Sequence, residues 1–468
     1  MKMSQLSTSV FLLLLTLSFS VSLASLSSIL DVTLGSFQDI VDCILSKSDN
    51  VTFTSQLIFT PANAFFLPIW EFRIMDTRSL RPSTPKPSVI VTPVEETLVQ
   101  TTLLCAKKHG YELRMRSGGH DFEGVSYSAY VPFVMIDFMN MGAIDVDVAN
   151  STAWVQPGAA LGAVYYAISQ KTDTLYLGGA GYGNLLRKYG TAGDHVVDVR
   201  FIDVNGNILD RQSMGEDLFW AIRGGSVSSF GIVLAWKISL VVVPEKRTID
   251  TLLPLMDEKF LELGVTVNIC EEMTSIQSTL VSWGFPSSTP PEILTNRSAF
   301  AKVNSKVKSD YVRQPIPISG IRQIWKKLLQ NDNSALVVTN AFGGRMAEYS
   351  ETEIPYPIEL GCLQGCIFYD QAYDTTPISL RRRAWLLSFD DLLTPYVSSN
   401  PREAYINYID VDLGVANDFF EQASVWGDRY WKRENFNKSV RIKAKVDPEN
   451  FFSHPQSILV FSTSLSDI

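Results

Sequence analysis

The spacing of apolar residues divides the first half of the chain into short helices and strands. Across Leu30–Leu45 apolar side chains return every three to four residues, which predicts a helix. The proline- and arginine-rich stretch Ile69–Pro87 predicts an extended linker. From there the pattern becomes strand, helix, strand, with an apolar run at Val89–Val91, an amphipathic helix over Val94–Lys108 and a strand over Glu112–Arg116.

The same alternation continues to Val243. Further strands and helices are predicted at Phe133–Phe138, Ala153–Gln156, Leu161–Gln170, Val196–Ile202, Ile208–Leu209, Asp217–Ile222 and Gly231–Leu240. Asn205-Gly206 separates two of the strands and is a strong hairpin signal. We interpret residues 82–243 as one α+β domain that follows an N-terminal helical segment, residues 25–81.

The second half carries longer strands and helices with charged faces. Gly320–Leu329 and Ile378–Leu393 have helical spacing. We expect residues 244–404 to form a second domain. The remaining tail, residues 405–463, contains a predicted helix over Asp418–Phe436.

The N-terminus is typical of a secretory signal peptide, which we place at residues 1–24. Lys2 precedes the apolar run Val10–Leu17, and Ser22-Leu23-Ala24 follows as a small-residue cleavage pattern. The run is too short to span a bilayer. Lys237 interrupts the next most apolar stretch, Gly231–Val243. We therefore expect an exported protein without a membrane span.

Charge and sequons narrow the class of protein further. With 40 Lys and Arg against 49 Asp and Glu, the net charge is −9. An acidic chain without a basic patch is a poor candidate for binding nucleic acid. Arg381–Arg383, a basic triplet, fits a solvated helix face. Four Asn-x-Ser/Thr sequons are candidates for surface glycosylation: Asn50, Asn150, Asn296 and Asn437.

The candidate chemistry is concentrated in Arg114–Gly124, which reads Arg-Met-Arg-Ser-Gly-Gly-His-Asp-Phe-Glu-Gly. Gly118 and Gly119 lack a Cβ, so the backbone can turn sharply and approach a ligand closely. Successive N–H groups in such a turn form a concavity suited to a pyrophosphate. His120 follows at once, and an imidazole can attack an electrophilic carbon and stay attached to it. Taken alone, the motif fits an ordinary turn better than a cofactor site, because short glycine motifs give many false positives.

Six further motifs accompany this turn in a fixed order. They are Lys86–Pro93, Cys105–Tyr111, Ile136-Asp137, Thr152–Gly158, Gly181–Gly190 and Gly215–Gly225. The ordered set resembles the berberine bridge enzyme-like proteins of plants, within the vanillyl-alcohol oxidase superfamily of flavoproteins. The resemblance runs from about Leu30 to Ile458.

The resemblance implies a fold and a cofactor. The fold is α+β, with a two-part FAD-binding domain of the vanillyl-alcohol oxidase type and a substrate domain whose antiparallel sheet is backed by helices. The tail returns to the FAD domain. FAD would be bonded covalently to His120. The expected cofactor-binding residues are Arg116, Ser117, Gly118, Gly119, His120, Gly181, Gly183 and Asn184.

Two tyrosines match active-site tyrosines of the family's alcohol oxidases. Tyr182 lies between Gly181 and Gly183, and Tyr408 matches the tyrosine of an Asn-Tyr-Arg-Asp segment. Each could serve as the base that takes a proton from the substrate, or could be a core aromatic whose hydroxyl finds a partner. Because the ordinary pKa of tyrosine is near 10, a basic role requires a nearby cation.

The cysteines are consistent with an oxidising compartment. Cys43 and Cys105 match the family's N-terminal pair, so the resemblance implies a disulfide between them. Cys362 and Cys366 could pair with each other or could be neighbours on one helix, which leaves Cys270 as the odd cysteine. No metal site is expected.

The chain departs from the family pattern in four places. Only Tyr176-Leu177 stands where relatives carry a segment with a second, cysteine anchor for the flavin. Phe122 occupies a position often taken by tyrosine. Gly365 and Ile367 replace a lysine and a glutamine of the active site, and Ile409 replaces an arginine. The sequence therefore predicts one flavin tether instead of two, and fewer cations beside the tyrosines.

These observations favour a secreted, FAD-dependent oxidoreductase, located outside the cell, in the cell wall or in the vacuole. It would oxidise an alcohol or carbohydrate hydroxyl of a small molecule and pass electrons to molecular oxygen or another acceptor. Two alternatives stay open: a catalytically impaired glycoprotein of the same fold, and an amine or alkaloid oxidase of the same family.

Overall fold

The structure is a computed structural model and describes nine stretches of the chain. They are residues 37–178, 185–242, 248–299, 302, 305–330, 335–357, 361–369, 377–416 and 419–461. The predicted signal peptide and the first residues of the predicted helix Leu30–Leu45 lie outside these stretches.

Twelve helices and fourteen strands are found in the described residues. The helices are α1 (37–46), α2 (Val51–Ser55), α3 (Phe66–Phe72), α4 (Glu96–Lys108), α5 (Leu161–Ser169), α6 (Leu186–Tyr189), α7 (Arg211–Ala221), α8 (Ile249–Lys259), α9 (Ser275–Ser282), α10 (Ile318–Leu328), α11 (Pro377–Leu393) and α12 (Phe420–Val446). The strands are β1 (Ile58–Phe59), β2 (Val89–Val91), β3 (Glu112–Arg116), β4 (Phe133–Asp137), β5 (Ile144–Asp147), β6 (Thr152–Val155), β7 (Leu175–Tyr176), β8 (Val196–Ile202), β9 (Ile208–Leu209), β10 (Ile232–Ser239), β11 (Val241–Val242), β12 (Ser305–Val312), β13 (Ala335–Phe342) and β14 (Gly361–Tyr369).

Two sheets form the N-terminal half. The first has the order β1-β2-β4-β3, in which β4 runs parallel to both β2 and β3. Helix α4 supplies the crossover between β2 and β3, as parallel strands require. The second sheet, β5-β6-β10-β8-β9, is antiparallel, and β8 and β9 form the hairpin predicted around Asn205-Gly206. Gly206 has a φ of 83°, the left-handed conformation that favours glycine.

A third, antiparallel sheet has the order β12-β14-β13. A small apolar cluster that includes Ile324 of α10 and Phe389 of α11 packs against Val337 of β13. The sheet backed by helices is the arrangement that the resemblance implied. The α+β class is therefore confirmed.

The C-terminal tail packs onto the N-terminal half. Near the end of α12 the Lys443 ammonium group donates to the carbonyl of Ser229 at 2.6 Å and to Asp447 at 2.5 Å. Beyond the helix, His454 Nε2 lies 3.0 Å from the Ser228 hydroxyl. Burial lowers the pKa of His454 to about 3, so its imidazole is neutral. These buried polar contacts fix the tail against the loop that precedes β10.

Some local predictions were wrong. The stretch Ile69–Pro87 is not an extended linker, because it contains part of α3 and a 3-10 turn at Thr77–Leu80. The tail helix reaches Val446, ten residues beyond its predicted end, with a break at Lys432. Asn437 is half-buried within this helix, whereas the other three sequon asparagines are exposed. In the part of the chain that the structure describes, no helix is long and apolar enough to cross a membrane.

The structure locates all five cysteines. Cys43 and Cys105 form the disulfide that the resemblance implied, with their Cα atoms 5.9 Å apart. Cys362 and Cys366 both lie on β14, so they are not neighbours on a helix. Cys270 has a free thiol.

Replacing Lys443 should show how strongly the tail is anchored. Lys443→Met leaves the buried carboxylate of Asp447 without its cation, and we expect a loss of about 3 kcal/mol or more in the free energy of unfolding. Lys445→Met, at an exposed position of the same helix, should change stability by less than about 0.5 kcal/mol. Urea denaturation of both variants measures the difference, and equal stabilities would contradict the anchoring role.

Candidate active site

The glycine turn follows β3 and is supported from beneath by a buried ion pair. Arg116 is fully buried, and its Nη2 donates to Asp137 Oδ2 at 2.6 Å. The same guanidinium donates to the carbonyls of Ile69 and Trp70. The contacts with Asp137 and Trp70 are buried, and the contact with Ile69 is partly buried. The side chain of Arg116 therefore stabilises the turn, and only its backbone is placed to meet a cofactor.

Gly119 allows the turn to pack against the backbone of α3. Its φ is 74°, and a Cβ at this position would lie 1.6 Å from the carbonyl oxygen of Arg73. The Arg73 guanidinium donates to the Ser117 carbonyl at 2.6 Å, and Met75 N–H donates to the Gly119 carbonyl at 3.2 Å. This glycine is thus required by the close approach of the protein's own chain. Gly118 is exposed and faces open space apart from the His120 ring.

The turn provides donors for an anion. Among the described residues, no acceptor is bonded to the backbone N–H groups of Gly118, Gly119 or His120. Three consecutive unpaired amides form the kind of nest that binds phosphate oxygens. The residues present therefore fit the diphosphate of FAD.

His120 stands at the rim of the turn, where its ring is accessible to solvent. Desolvation by the surrounding protein nevertheless lowers the pKa of its imidazole. A lowered pKa keeps the ring neutral at pH 7, and a neutral imidazole has a lone pair available for bonding to carbon.

Asp121 fixes the loop that follows His120. Its carboxylate accepts hydrogen bonds from the N–H groups of Glu123 at 2.8 Å, Gly124 at 3.1 Å and Ser126 at 2.7 Å, and from the Ser126 hydroxyl at 2.7 Å. Such carboxylate-to-backbone bonds hold a loop in one conformation. They determine where Phe122 and Glu123 are placed relative to His120.

Phe122 links the glycine turn to the second predicted tyrosine. The ring of Tyr408 meets Phe122 edge to face at a centroid distance of 5.5 Å and Tyr405 at 5.3 Å. Tyr408 is buried within a 3-10 turn over Ile406–Tyr408. A Cβ on Gly225 would lie 2.5 Å from Ile406, so this glycine makes room for the turn. Tyr408 thus contacts Phe122, which lies two residues after His120 in the sequence.

A buried charge network lies beside these rings. Lys306 of β12 forms ion pairs with Glu123 and, at 2.6 Å, with Asp410. Lys308 forms a second pair with Asp410 at 2.7 Å. Burial by itself would raise the pKa of Asp410, but the two ammonium groups lower it. Burial raises the pKa of Glu123 despite its cationic neighbours, so Asp410 is the firmer anion of the two.

This network was not predicted from the sequence. Lys306 and Lys308 alternate with apolar and small residues in a strand whose first seven residues are all buried. Two lysines at alternate positions of such a strand were the available signal, because a buried lysine requires a partner. The four remaining predicted site residues, Gly181, Tyr182, Gly183 and Asn184, lie outside the described residues.

Comparisons with known proteins agree with this geometry. The FAD binding domain family matches residues 87–211, and the berberine and berberine-like family matches residues 404–459. Berberine bridge enzyme-like 25 of Arabidopsis thaliana is 40% identical, over 88% of this chain and 92% of that protein. Tetrahydroberberine oxidase of Berberis wilsoniae is 38% identical, over 87% of this chain and 91% of that protein.

The fold is also shared with solved structures. The crystal structure of Phl p 4, a grass pollen allergen with glucose dehydrogenase activity, superposes with a TM-score of 0.84 at 32% identity, covering 91% of this chain and 100% of that one. The sheets, the glycine turn and these matches define an FAD-binding oxidoreductase fold. The chain belongs to the berberine bridge enzyme-like family, as its ordered motifs predicted.

The comparisons also show that the chain is shortened. The alignment with the Arabidopsis relative extends over 499 positions, more than the 468 residues that this chain contains. Segments of that relative therefore have no counterpart here. That one of these segments falls between Leu175 and Gly178, where the sequence has only Tyr176-Leu177, stays a prediction.

The packing of Gly119 against Arg73 can be tested separately from the strain of its positive φ. Gly119→Ala adds both an unfavourable φ and a clash with Arg73, so we expect severe destabilisation and loss of flavin binding. Gly110→Ala is the matched control, because Gly110 has a φ of 71° and nothing within 4 Å of the added Cβ. It should cost only about 1 kcal/mol. Thermal unfolding and bound-flavin absorbance report both effects, and similar losses in the two variants would refute the packing role.

Proposed function

We propose that the protein is an FAD-linked oxidase or dehydrogenase of a small-molecule alcohol or carbohydrate hydroxyl, with the flavin bonded to His120 alone. The observation that supports it best is the position of His120 beside three backbone amides that have no acceptor among the described residues. Burial, which lowers the pKa of the His120 imidazole, also favours this role. The turn would hold the diphosphate, and His120 would form the single covalent bond. Only Tyr176-Leu177 stands between Leu175 and Gly178, where the resemblance implies a second, cysteine tether.

Bound FAD supplies a hydride acceptor for oxidation of a carbon that bears oxygen. In this proposal, Tyr408 accepts the proton from the substrate hydroxyl, and Tyr182 shares or assists this role. The ring contacts with Phe122 and Tyr405 hold the Tyr408 ring in place. The ion pairs of Asp410, two residues further on, hold its backbone segment. A base that is fixed in position contributes to rate through its geometry.

The names of two relatives indicate candidate substrate classes. One similar structure is named for glucose dehydrogenase activity, and one similar protein is named a tetrahydroberberine oxidase. We favour the hydroxyl substrate because the described part of the site offers a tyrosine at the segment where alcohol oxidases of the family carry theirs. An amine or alkaloid oxidase is the second candidate. A catalytically impaired flavoprotein is the third candidate, because segments of a relative have no counterpart in this chain.

We also propose that the protein is exported and that molecular oxygen or another acceptor reoxidises the flavin. The Cys43–Cys105 disulfide and the exposed Asn50, Asn150 and Asn296 are consistent with an oxidising, glycosylating compartment. The boundaries 82–243, 244–404 and 405–463 are our proposed division into FAD-binding domain, substrate domain and returning tail.

Removing the imidazole tests the covalent link. Purified wild-type protein should keep its yellow colour in the pellet after acid precipitation, because a covalent bond survives unfolding. His120→Ala should give a colourless pellet. His109→Ala, which alters a histidine at the end of α4, should behave like the wild type. A yellow pellet from His120→Ala would contradict attachment at this residue.

Removing one hydroxyl tests the proposed base. Tyr408→Phe should retain the flavin but lower the rate of flavin reduction by about a hundredfold or more. Anaerobic stopped-flow absorbance with a panel of primary alcohols, reducing sugars and cyclic amines measures this rate. Tyr130→Phe is the control, because Tyr130 is 97% exposed. An unchanged rate in Tyr408→Phe would exclude it as the base, and reduction by amines alone would select the second candidate.

A further inference from the structure

An open cleft lies where the chain lacks the expected segment. It has a volume of about 1010 Å³ and is lined in part by Leu175, Tyr176 and Leu177, where the resemblance implies a longer segment. Leu252 of α8 and Ile276 of α9 also line it. The volume is at the upper end of the range of small-molecule and side-chain pockets.

The cleft is acidic. Asp173, Glu271 and Glu272 contribute carboxylates, and its lining contains no lysine, arginine or histidine. All three acidic residues are exposed. Helix α8, which borders the cleft, buries none of its residues. A helix of this length is rarely stable without an apolar face packed against something, and Leu252 and Leu255 of α8 are 37% and 38% exposed in the described chain.

A complementary surface stands on α10. Ile318, Ile321, Trp325 and Leu329 are spaced at helical intervals and form one exposed apolar stripe, in which Trp325 is 60% and Leu329 is 81% exposed. The opposite face of the helix is anchored by Ile324, which is buried against α11. The stripe is therefore presented to solvent by a helix that is fixed from behind.

The α10 stripe is basic. Arg322 and Lys326 are exposed beside Trp325, and within the described residues neither has an ion-pair partner. Helix α10 contains no acidic residue. A protruding tryptophan between unpaired cations is complementary in shape and charge to an apolar cleft lined with carboxylates. Tryptophan and arginine are also the residues that most often dominate protein interfaces.

We propose that the cleft receives the α10 stripe of a second copy of this chain, with Trp325 inserted between Leu175 and Leu252. The cations beside Trp325 then face Glu271 and Glu272 of the receiving copy. The contact is head to tail, because the two surfaces differ. A copy whose cleft is filled still presents its own stripe, so assembly continues with concentration.

The assembly is measured by analytical ultracentrifugation of the full-length mature protein. Wild type should show a weight-average mass that rises above the monomer with concentration, with a dissociation constant on the order of 10 µM, as for a small interface, and less association in high salt. Trp325→Ser should weaken association at least tenfold. Phe65→Ser is the matched control, because Phe65 is 66% exposed on another face, and it should associate like the wild type.

A mixing experiment tests the head-to-tail geometry. Leu252→Glu places a charge in the cleft wall and should block reception, whereas Trp325→Ser removes the inserted side chain. Each variant alone should be monomeric. Mixed in equal amounts, they should form a heterodimer and nothing larger, because one partner keeps an intact cleft and the other an intact stripe. Circular dichroism and flavin absorbance of each variant confirm that it is folded.

Three results would overturn the proposal. The first is a wild type that stays monomeric up to about 100 µM, a range in which even weak specific interfaces associate. The second is a folded Trp325→Ser variant that associates like Phe65→Ser. The third is a mixture of Leu252→Glu and Trp325→Ser that remains monomeric although both variants are folded.

Discussion

The candidate site depends on the buried ion pairs of Lys306. Its ammonium group joins Glu123, from the loop after the glycine turn, to Asp410, from the C-terminal tail. Lys306 itself belongs to a strand of the third sheet. A charge at this depth is costly unless every partner is in place. Three distant parts of the chain must therefore meet at one point for the fold to be stable, and the site lies beside that point.

The same constraint brings together the two halves of the proposed chemistry. His120 precedes Glu123 by three residues, and Tyr408 precedes Asp410 by two. Asp121 holds the first segment in one conformation, and the packing of Ile406 against Gly225 accommodates the second. The proposed tether and the proposed base thus stand on two loops that a single lysine connects. Lys306 and Lys308 hold the second segment by binding Asp410, which follows Ile409 directly.

Local patterns in the sequence predicted much of the fold. The strand Val196–Ile202 and its hairpin partner agree with the structure residue for residue, because alternation and an Asn-Gly turn determine them locally. The motif order also identified the family. Features that arise from distant contacts were not predictable in this way. The side chain of Arg116 turned out to bind Asp137, and the role of Gly119 depends on Arg73, 46 residues earlier in the sequence.

His120 is the one residue to which we propose that the flavin is bonded, because only Tyr176-Leu177 stands where the resemblance implies a second, cysteine anchor. The most direct measurement is mass spectrometry of proteolytic peptides from the purified, full-length protein. We predict that the peptide containing His120 carries the mass of one FAD or its flavin fragment, and that every cysteine peptide is free of flavin. An unmodified His120 peptide from correctly folded protein would contradict the claim.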